Sequence, residues 1–220
     1  KQEMDAWVVV AGTYPVVDWF AETGAPVFAY YGGRHSRAAG VWPNKSNAID
    51  AAIDRLVALG HRRICFIVRP HNLVPTPGIE VEMFQASLES HGIEVSSYHL
   101  PLWEDSPQGL QSCLDALFAM TTPTALIIDE AELFVAARQY LADFGIVAPR
   151  DVSLISTDPD RAFGWSLPEV SHLSWSYEPM VRRAVKWMRN ISVGRKDCRK
   201  TYVDAKFVEG GTIGSAPKQA

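Results

Sequence analysis

The feature that most constrains this 220-residue chain is the alternation of two hydrophobic periods along it. Short β-rich apolar runs occur at Trp7 to Ala11, Pro26 to Tyr30, Ile64 to Val68, Thr124 to Ile128, Val152 to Ser156 and Val170 to Trp175. Between them the apolar positions fall at helical spacing. From Ser46 onward, Ile49, Ala52, Ile53, Leu56 and Val57 form one face, which Asn44 or Ser46 can cap at its start and Gly60 can close. The same spacing predicts helices over Val16 to Glu22, Ile79 to His91, Gln108 to Met120, Glu132 to Phe144 and Glu178 to Ile191, with further strands at Val95 to Leu100 and Thr201 to Val208. A run such as Ile64 to Val68, apolar without alternation, suits a strand covered on both faces. Strands alternating with helices of this length imply right-handed crossovers and parallel sheets, an α/β fold.

In such sheets, ligands sit outside the carboxyl ends of the strands. The residues expected there are Tyr14, Tyr31 to Arg34, Arg69 to Asn72, Trp103 to Asp105, Asp129 to Glu130 and Asp158 to Arg161. They are polar and aromatic, as a crevice for a small polar molecule would be.

Composition narrows the function further. With 47% hydrophobic and 21% charged residues the chain has the balance of a globular domain and can build a sizeable core. Its most apolar run, Ala6 to Gly12, is far shorter than the roughly 20 residues a bilayer crossing requires, so no membrane role is expected. The 21 basic residues are outnumbered by 25 acidic ones, which leaves no global positive field to hold a phosphate backbone. Cys65, Cys113 and Cys198 are few, odd in number and far apart, so neither a disulfide framework nor a metal knuckle is expected. A reducing, cytoplasmic setting fits them, and the opening Lys1 to Met4 lacks the basic start and apolar core of a secretory signal, so either the chain is not exported or its true start lies upstream.

Motifs for chemistry fail one by one. Asp129-Glu130-Ala131-Glu132 has the look of an acidic ATPase box, but no GxxxxGK[ST] loop accompanies it, and acids at a helix start also suit the macrodipole. Asp158-Pro159-Asp160 is a lone DxD, and Gly210 to Gly214 has no helix after it to present amides to a phosphate. Neither a GxSxG elbow nor HExxH occurs, and His61 suits a helix cap or hinge. No catalytic residue, metal or cofactor is therefore expected. The generic α/β enzyme remains the rival from another class.

Leu56-Val57-Ala58-Leu59-Gly60-His61-Arg62-Arg63-Ile64 resembles the LxxLGHxxI stretch of the lac repressor (LacI/GalR) family. Phe84, Leu88, Gly92 and Ile93 resemble its GFxxALxxxGI segment, and Pro123-Thr124-Ala125 to Gly145-Ile146 its PTAxxxxND segment with the helix that follows. Pro149 to Asp158 resembles its VPxDVSxxGxD signature, and Phe207 to Thr212 its terminal strand. The resemblance covers nearly the whole chain. It implies two Rossmann-like lobes of periplasmic-binding-protein type, hinged by three crossovers, with a small effector in the cleft. The first lobe would take residues 1–61 plus about 176–194, and the second 62–175 plus 195–220. Family members open with a DNA-binding head and a further βαβ unit, so the resemblance implies a first lobe incomplete at its N-terminus, homodimerisation, and DNA contact only through a head absent from this chain. An exported sugar-binding protein of a transporter would share the fold.

The resemblance also implies ligand positions. Asp158 stands at the family's cleft aspartate, which accepts hydrogen bonds from ligand hydroxyls. Asn44 replaces an aspartate, Glu80 replaces a ligand-clamping arginine, and Glu130 with Ala131 replaces an Asn-Asp pair. Trp103, Trp175 and Tyr177 are candidates to stack on a sugar or to pack the core or hinge, and the cleft is expected to be acidic unless Arg69 or Arg34, each just after a strand, compensates. A sugar or polyol is the expected effector, with sugar acids and phosphosugars disfavoured and neutral or cationic ligands allowed.

Overall fold

The computed structural model describes residues 5–33 and 36–217. Lys1 to Met4 and Arg34 lie outside them. The chain runs through β1 (Trp7–Val10), α1 (Tyr14–Ala21), β2 (Val27–Tyr30) and β3 (Ala39–Asn44), then α2 (Ser46–Ala58), β4 (Ile64–Ile67), α3 (Ile79–Ser90) and α4 (Pro107–Met120). There follow β5 (Ala125–Ile128), α5 (Ala131–Asp143), β6 (Ser153–Ser156), β7 (Ser171–Ser174), α6 (Tyr177–Ser192), β8 (Lys200–Asp204) and β9 (Lys206–Val208). Two compact units result. The first comprises Lys1–Asn44 and Trp175–Ala205, the second Lys45–Ser174 and Lys206–Ala220, so the chain passes between them three times.

The first unit is a parallel sheet in the order β1-β2-β3-β8. β3 is a strand that the sequence pattern did not suggest, because Gly40 and Pro43 both discourage one. Gly40 is needed there: a Cβ would lie 2.4 Å from the Trp42 ring and 2.5 Å from the Ala29 carbonyl oxygen. Pro43 lies beyond the last β3 residue paired with β2, so its missing N–H breaks no bond on that side.

Beneath this sheet, α6 carries the most connected polar group of the unit. Arg183, only 8% exposed, donates from Nη2 to Asp197 Oδ1 at 2.9 Å, and Asn190 Nδ2 and Arg199 Nη2 donate to Oδ2 at 2.8 and 2.9 Å. The Trp187 indole donates to the Asp197 carbonyl at 3.1 Å. Hydrogen bonds from Arg199 and Asn190 hold the Asp197 carboxyl far below its ordinary range, against the burial that would raise it.

The second unit is a five-stranded sheet, β4-β5-β6-β7-β9, parallel except for β9 against β7. Every residue of β4, β5 and β6 is buried, as expected for strands covered on both faces. One face meets Leu110, Leu114, Phe134, Ala137 and Trp103 in a continuous apolar core.

Four sequence expectations are corrected. The strand foreseen at Val95 to Leu100 is absent, because the chain turns at Ser96 to His99, where the His99 N–H bonds the Ser96 carbonyl and His99 Nδ1 accepts from the Ser96 N–H. The single strand foreseen at Thr201 to Val208 is two strands in different sheets, broken at buried Ala205. The N-cap position of α2 is held by Lys45, where the sequence suggested Asn44 or Ser46, and the Lys45 side chain makes no cap hydrogen bond. Residues 45–61 also belong with the second unit, because α2 packs on α3 and β9, and 195–205 belong with the first through β8.

His61 is a buried clasp in the second unit, where the sequence suggested a cap or hinge. A carbonyl only accepts, so Nε2 carries the proton donated to the Gly214 carbonyl at 2.9 Å, with Ser153 Oγ at 3.1 Å. The other ring nitrogen, Nδ1, is buried without a partner. Burial holds the imidazole below its ordinary value of 6.5, against the raising effect of the Gly214 bond.

Two outcomes are expected. Below pH 6.5 the unfolded chain takes up a proton at His61 that the folded chain still refuses, so thermal stability should decline from pH 7 to pH 5. In His61→Gln that part of the slope should disappear. Asp197→Ala strands the buried Arg183 and should cost about 3 kcal/mol in urea unfolding.

Candidate functional site

Burial of the second unit's central strands leaves polar residues only where those strands end. Beyond β4 comes Arg69, beyond β5 Asp129 and Glu130, and beyond β6 Thr157 and Asp158. These residues meet. Arg69 donates from Nε to Glu130 Oε2 at 2.8 Å and from Nη1 to Asp105 Oδ1 at 2.7 Å, with Nη2 also 2.8 Å from Glu130 Oε2 in the ion pair. Two carboxylates thus meet one planar guanidinium from different sides, an arrangement that a lysine could not reproduce. Asp129 accepts from Thr157 Oγ1 at 2.8 Å and Asn72 Nδ2 at 3.3 Å. Lys45, at the start of α2, donates to Asp158 Oδ1 at 2.6 Å, with side chains only 6% and 15% exposed.

Backbone geometry marks the same place. Glu130 has φ +58° and ψ 143°, a region nearly closed to side chains with a Cβ. Its conformation makes the sharp turn from β5 into α5 while its carboxylate reaches Arg69. Partial burial raises the Glu130 pKa against the opposing Arg69 bond, and the negative charges of Asp129 and Asp158 add to the rise.

The first unit repeats the pattern where its own strands end. Ala11 after β1 and Tyr31 after β2 have φ +52° and +54°. Tyr31 stacks on Trp175 with ring centroids 5.7 Å apart and 25° between planes, and Trp175 in turn meets Tyr177 at 6.1 Å. Gly32 lets the turns after β1 and β2 close on each other, since a Cβ there would lie 2.5 Å from the Gly12 carbonyl oxygen. Asn44, the last residue of β3, donates to Asp204 of β8 at 3.0 Å.

Of the residues singled out in the sequence, Arg69, Glu130 and Asp158 fall in the polar cluster of the second unit, and Tyr177, Trp175 and Asn44 lie in the first. Trp103 is a core residue: its ring is 7% exposed within the apolar cluster, and its indole N–H donates to the Val68 carbonyl at 2.9 Å. Glu80 sits half-buried in the first turn of α3. Sequence reasoning missed Lys45 and Thr157. A lysine beside a helix start resembles any solvated surface charge, and only the approach of β6 reveals its partner. Among the described residues, no group of three or more His, Cys, Asp or Glu side chains could hold a metal ion.

A family model described as a periplasmic binding protein-like domain matches residues 53–213. The chain belongs to that family. Among solved structures, it superposes on a LacI family transcriptional regulator from Mycobacterium smegmatis with a TM-score of 0.81 at 16% identity, covering 99% of this chain and 81% of that one. A LacI family regulator from Enterococcus faecium with bound ribose gives 0.75 at 17%, covering 96% and 80%. A dimeric Lac repressor with a C-terminal deletion gives 0.73 at 13%, covering 95% and 77%. No curated protein matches. Membership explains the repeated arrangement of parallel strands ending in polar turns, which this periplasmic binding protein-like domain builds in both units.

Glu130→Gly and Glu130→Ala both lose the carboxylate on Arg69, but only glycine adopts φ +58° without strain, so the glycine variant should be the more stable of the two by about 1 kcal/mol, read as a higher melting temperature. Trp103→Phe keeps the ring but leaves the buried Val68 carbonyl without its donor, and should cost about 1 to 2 kcal/mol by the same measurement.

Proposed function

We propose that this chain is the effector-sensing domain of a bacterial transcriptional regulator of LacI type, and that its ligand is a sugar or related polyol. The observation that carries this reading is the hydrogen-bonded cluster of Arg69, Glu130 and Asp158 with Lys45 at the strand ends of the second unit. Carboxylates held in place by charged partners present fixed acceptors, which is what a ligand rich in hydroxyls needs. Membership in a binding-protein family and the ribose carried by the Enterococcus faecium relative support the same class. The described residues show no nucleophile activated by a base in this cluster, so binding without turnover is the expected activity. Among the described residues, no helix is long and apolar enough to cross a membrane, and a regulator acting on DNA would work in the cytoplasm. DNA contact would be made by a segment other than the two units described.

The regulator would act as a homodimer. Support comes from large apolar side chains left on the surface: Trp19 in the first unit is 62% exposed, and Trp165 and Leu167 in the second are 90% and 92% exposed.

Calorimetric titration with neutral sugars and polyols, run beside a turnover assay on the same compounds, tests the main reading. Saturable binding without product is expected, and turnover would overturn it. Sedimentation at tens of micromolar should show a dimer, weakened by Trp19→Ser or Trp165→Ser according to which face pairs. A mobility shift on duplex DNA that survives high salt and is lost on a scrambled sequence would contradict the assignment of DNA contact to another segment.

A further inference from the structure

We propose that the outward face of α6 in the first unit, together with Arg195 and Lys196 just beyond its end, is a docking surface for a partner protein that presents carboxylates beside a strip of apolar side chains. The inference goes beyond the ligand-sensing reading and does not depend on it.

The net negative charge of the chain conceals an uneven distribution. Eight of its 21 basic residues fall between Arg182 and Lys200, and between Pro179 and Val203 the single acid is Asp197. That acid is turned inward, with its side chain 2% exposed and held by Arg183, Asn190 and Arg199, so apart from its pair with Arg199 it neutralises nothing at the outer surface. Burial of Met180, Arg183, Ala184 and Trp187 turns the opposite side of α6 outward. There Arg182, Lys186 and Arg189 form an exposed row at helical spacing, and Val181, half-buried Val185 and exposed Met188 form a second row beside it. Arg182 meets Glu178 at 3.0 Å, but both side chains lie open to water, and such a pair exchanges partners at little cost. Among the described residues, no acidic side chain lies within ion-pair distance of Lys186, Arg189, Arg195 or Lys196. The helix macrodipole favours cations in the last turn, which accounts for Arg189 but not for Arg182 or Lys186. Bonds from Asn190 and the Trp187 indole to Asp197 tie the segment after α6 to the helix, so Arg195 and Lys196 are presented from a fixed support and little ordering is lost on binding.

Three kinds of partner carry the opposite charge. A phosphate backbone is contacted through the cations and leaves Val181 and Met188 uncovered. A bilayer surface calls for large apolar anchors on the outward face, whereas the Trp187 ring is buried against Phe28 with centroids 5.2 Å apart and neither outward row holds an aromatic side chain. A protein face with acids beside apolar groups covers both rows at once. Its carboxylates meet Arg182, Lys186 and Arg189, and its apolar groups take Val181 and Met188 out of water. Methionine suits such a contact because its unbranched side chain adapts to the shape it meets.

Fluorescence anisotropy with labelled helical peptides tests this. One peptide carries Glu in one row and Leu in the adjacent row, a second has Gln for Glu, and a third has Ser for Leu. A random-sequence DNA duplex and vesicles of phosphatidylcholine with phosphatidylserine supply the competing polyanions. The native chain should bind the Glu-Leu peptide saturably, with affinity falling as salt rises, and each of the other two peptides at least about tenfold more weakly. An exposed ion pair contributes up to roughly fivefold in affinity, and reversal adds repulsion, so Lys186→Glu combined with Arg189→Glu should lose about tenfold or more. Val181→Ser combined with Met188→Ser should lose severalfold while the salt dependence stays. Circular dichroism confirms that the variants are folded, and the peptide ranking on the native chain requires no variant.

No saturable binding of the Glu-Leu peptide, or binding unchanged by the charge reversals, would overturn the proposal. The Ser peptide bound as tightly as the Leu peptide would overturn the apolar half of the surface and with it the choice of a protein face. Tighter binding of the duplex or the vesicles at the same salt, lost on charge reversal, would overturn that choice and assign the face to the polyanion that bound.

Discussion

Burial of the central strands on both faces is the constraint from which the rest of the second unit follows. β4, β5 and β6 have no solvent face, so their side chains are apolar or small and their backbone polar groups are spent on the ladder. Chemistry is thereby confined to the first residues past each strand. The parallel arrangement brings those residues from three strands to one edge, and so gathers Arg69, Glu130 and Asp158 although they lie far apart in the chain.

Gathering charges in this way creates an electrostatic problem, and the cluster resolves it by pairing. The lysine and the arginine each neutralise acids that would otherwise repel one another at short range. A buried pair of this kind is weak evidence for stability, because desolvation cancels much of the attraction. Its value lies in fixing where the acceptors point. The strained turn at Glu130 belongs to the same solution: an unfavourable φ is maintained because the end of β5, the start of α5 and the Arg69 fork together over-determine that residue.

The Asp197 cluster of the first unit shows the alternative use of the same chemistry. Here the acid is almost wholly enclosed, and its partners come from α6 and from the segment leading into β8. Such a group locks a helix to a strand. It offers a ligand little access, whereas Glu130 and Asp105 are partly exposed.

The sequence by itself determined the class of fold and most of its elements, because the periods of 3.6 and 2 are local properties written in consecutive side chains. It also pointed to a domain of periplasmic-binding-protein type, through the spacing around Leu59-Gly60-His61 and around Pro149 to Asp158, and it located the polar turns after the strands. Tertiary structure decided what depends on distant neighbours. β3 exists in spite of Gly40 and Pro43 because the Trp42 ring and the Ala29 carbonyl leave no room for a side chain at position 40 and because β8 arrives to pair with it. Residues 201–208 divide between two sheets because each half finds a different partner, β3 or β7. Trp103 became core when its indole met Val68, and Lys45 became part of the site when Asp158 came within 2.6 Å. Periodicity reports which face of an element is apolar. Which charge meets which is settled only by the packing of elements well separated in the chain, by 36 residues for Arg69 with Asp105 and 113 for Lys45 with Asp158.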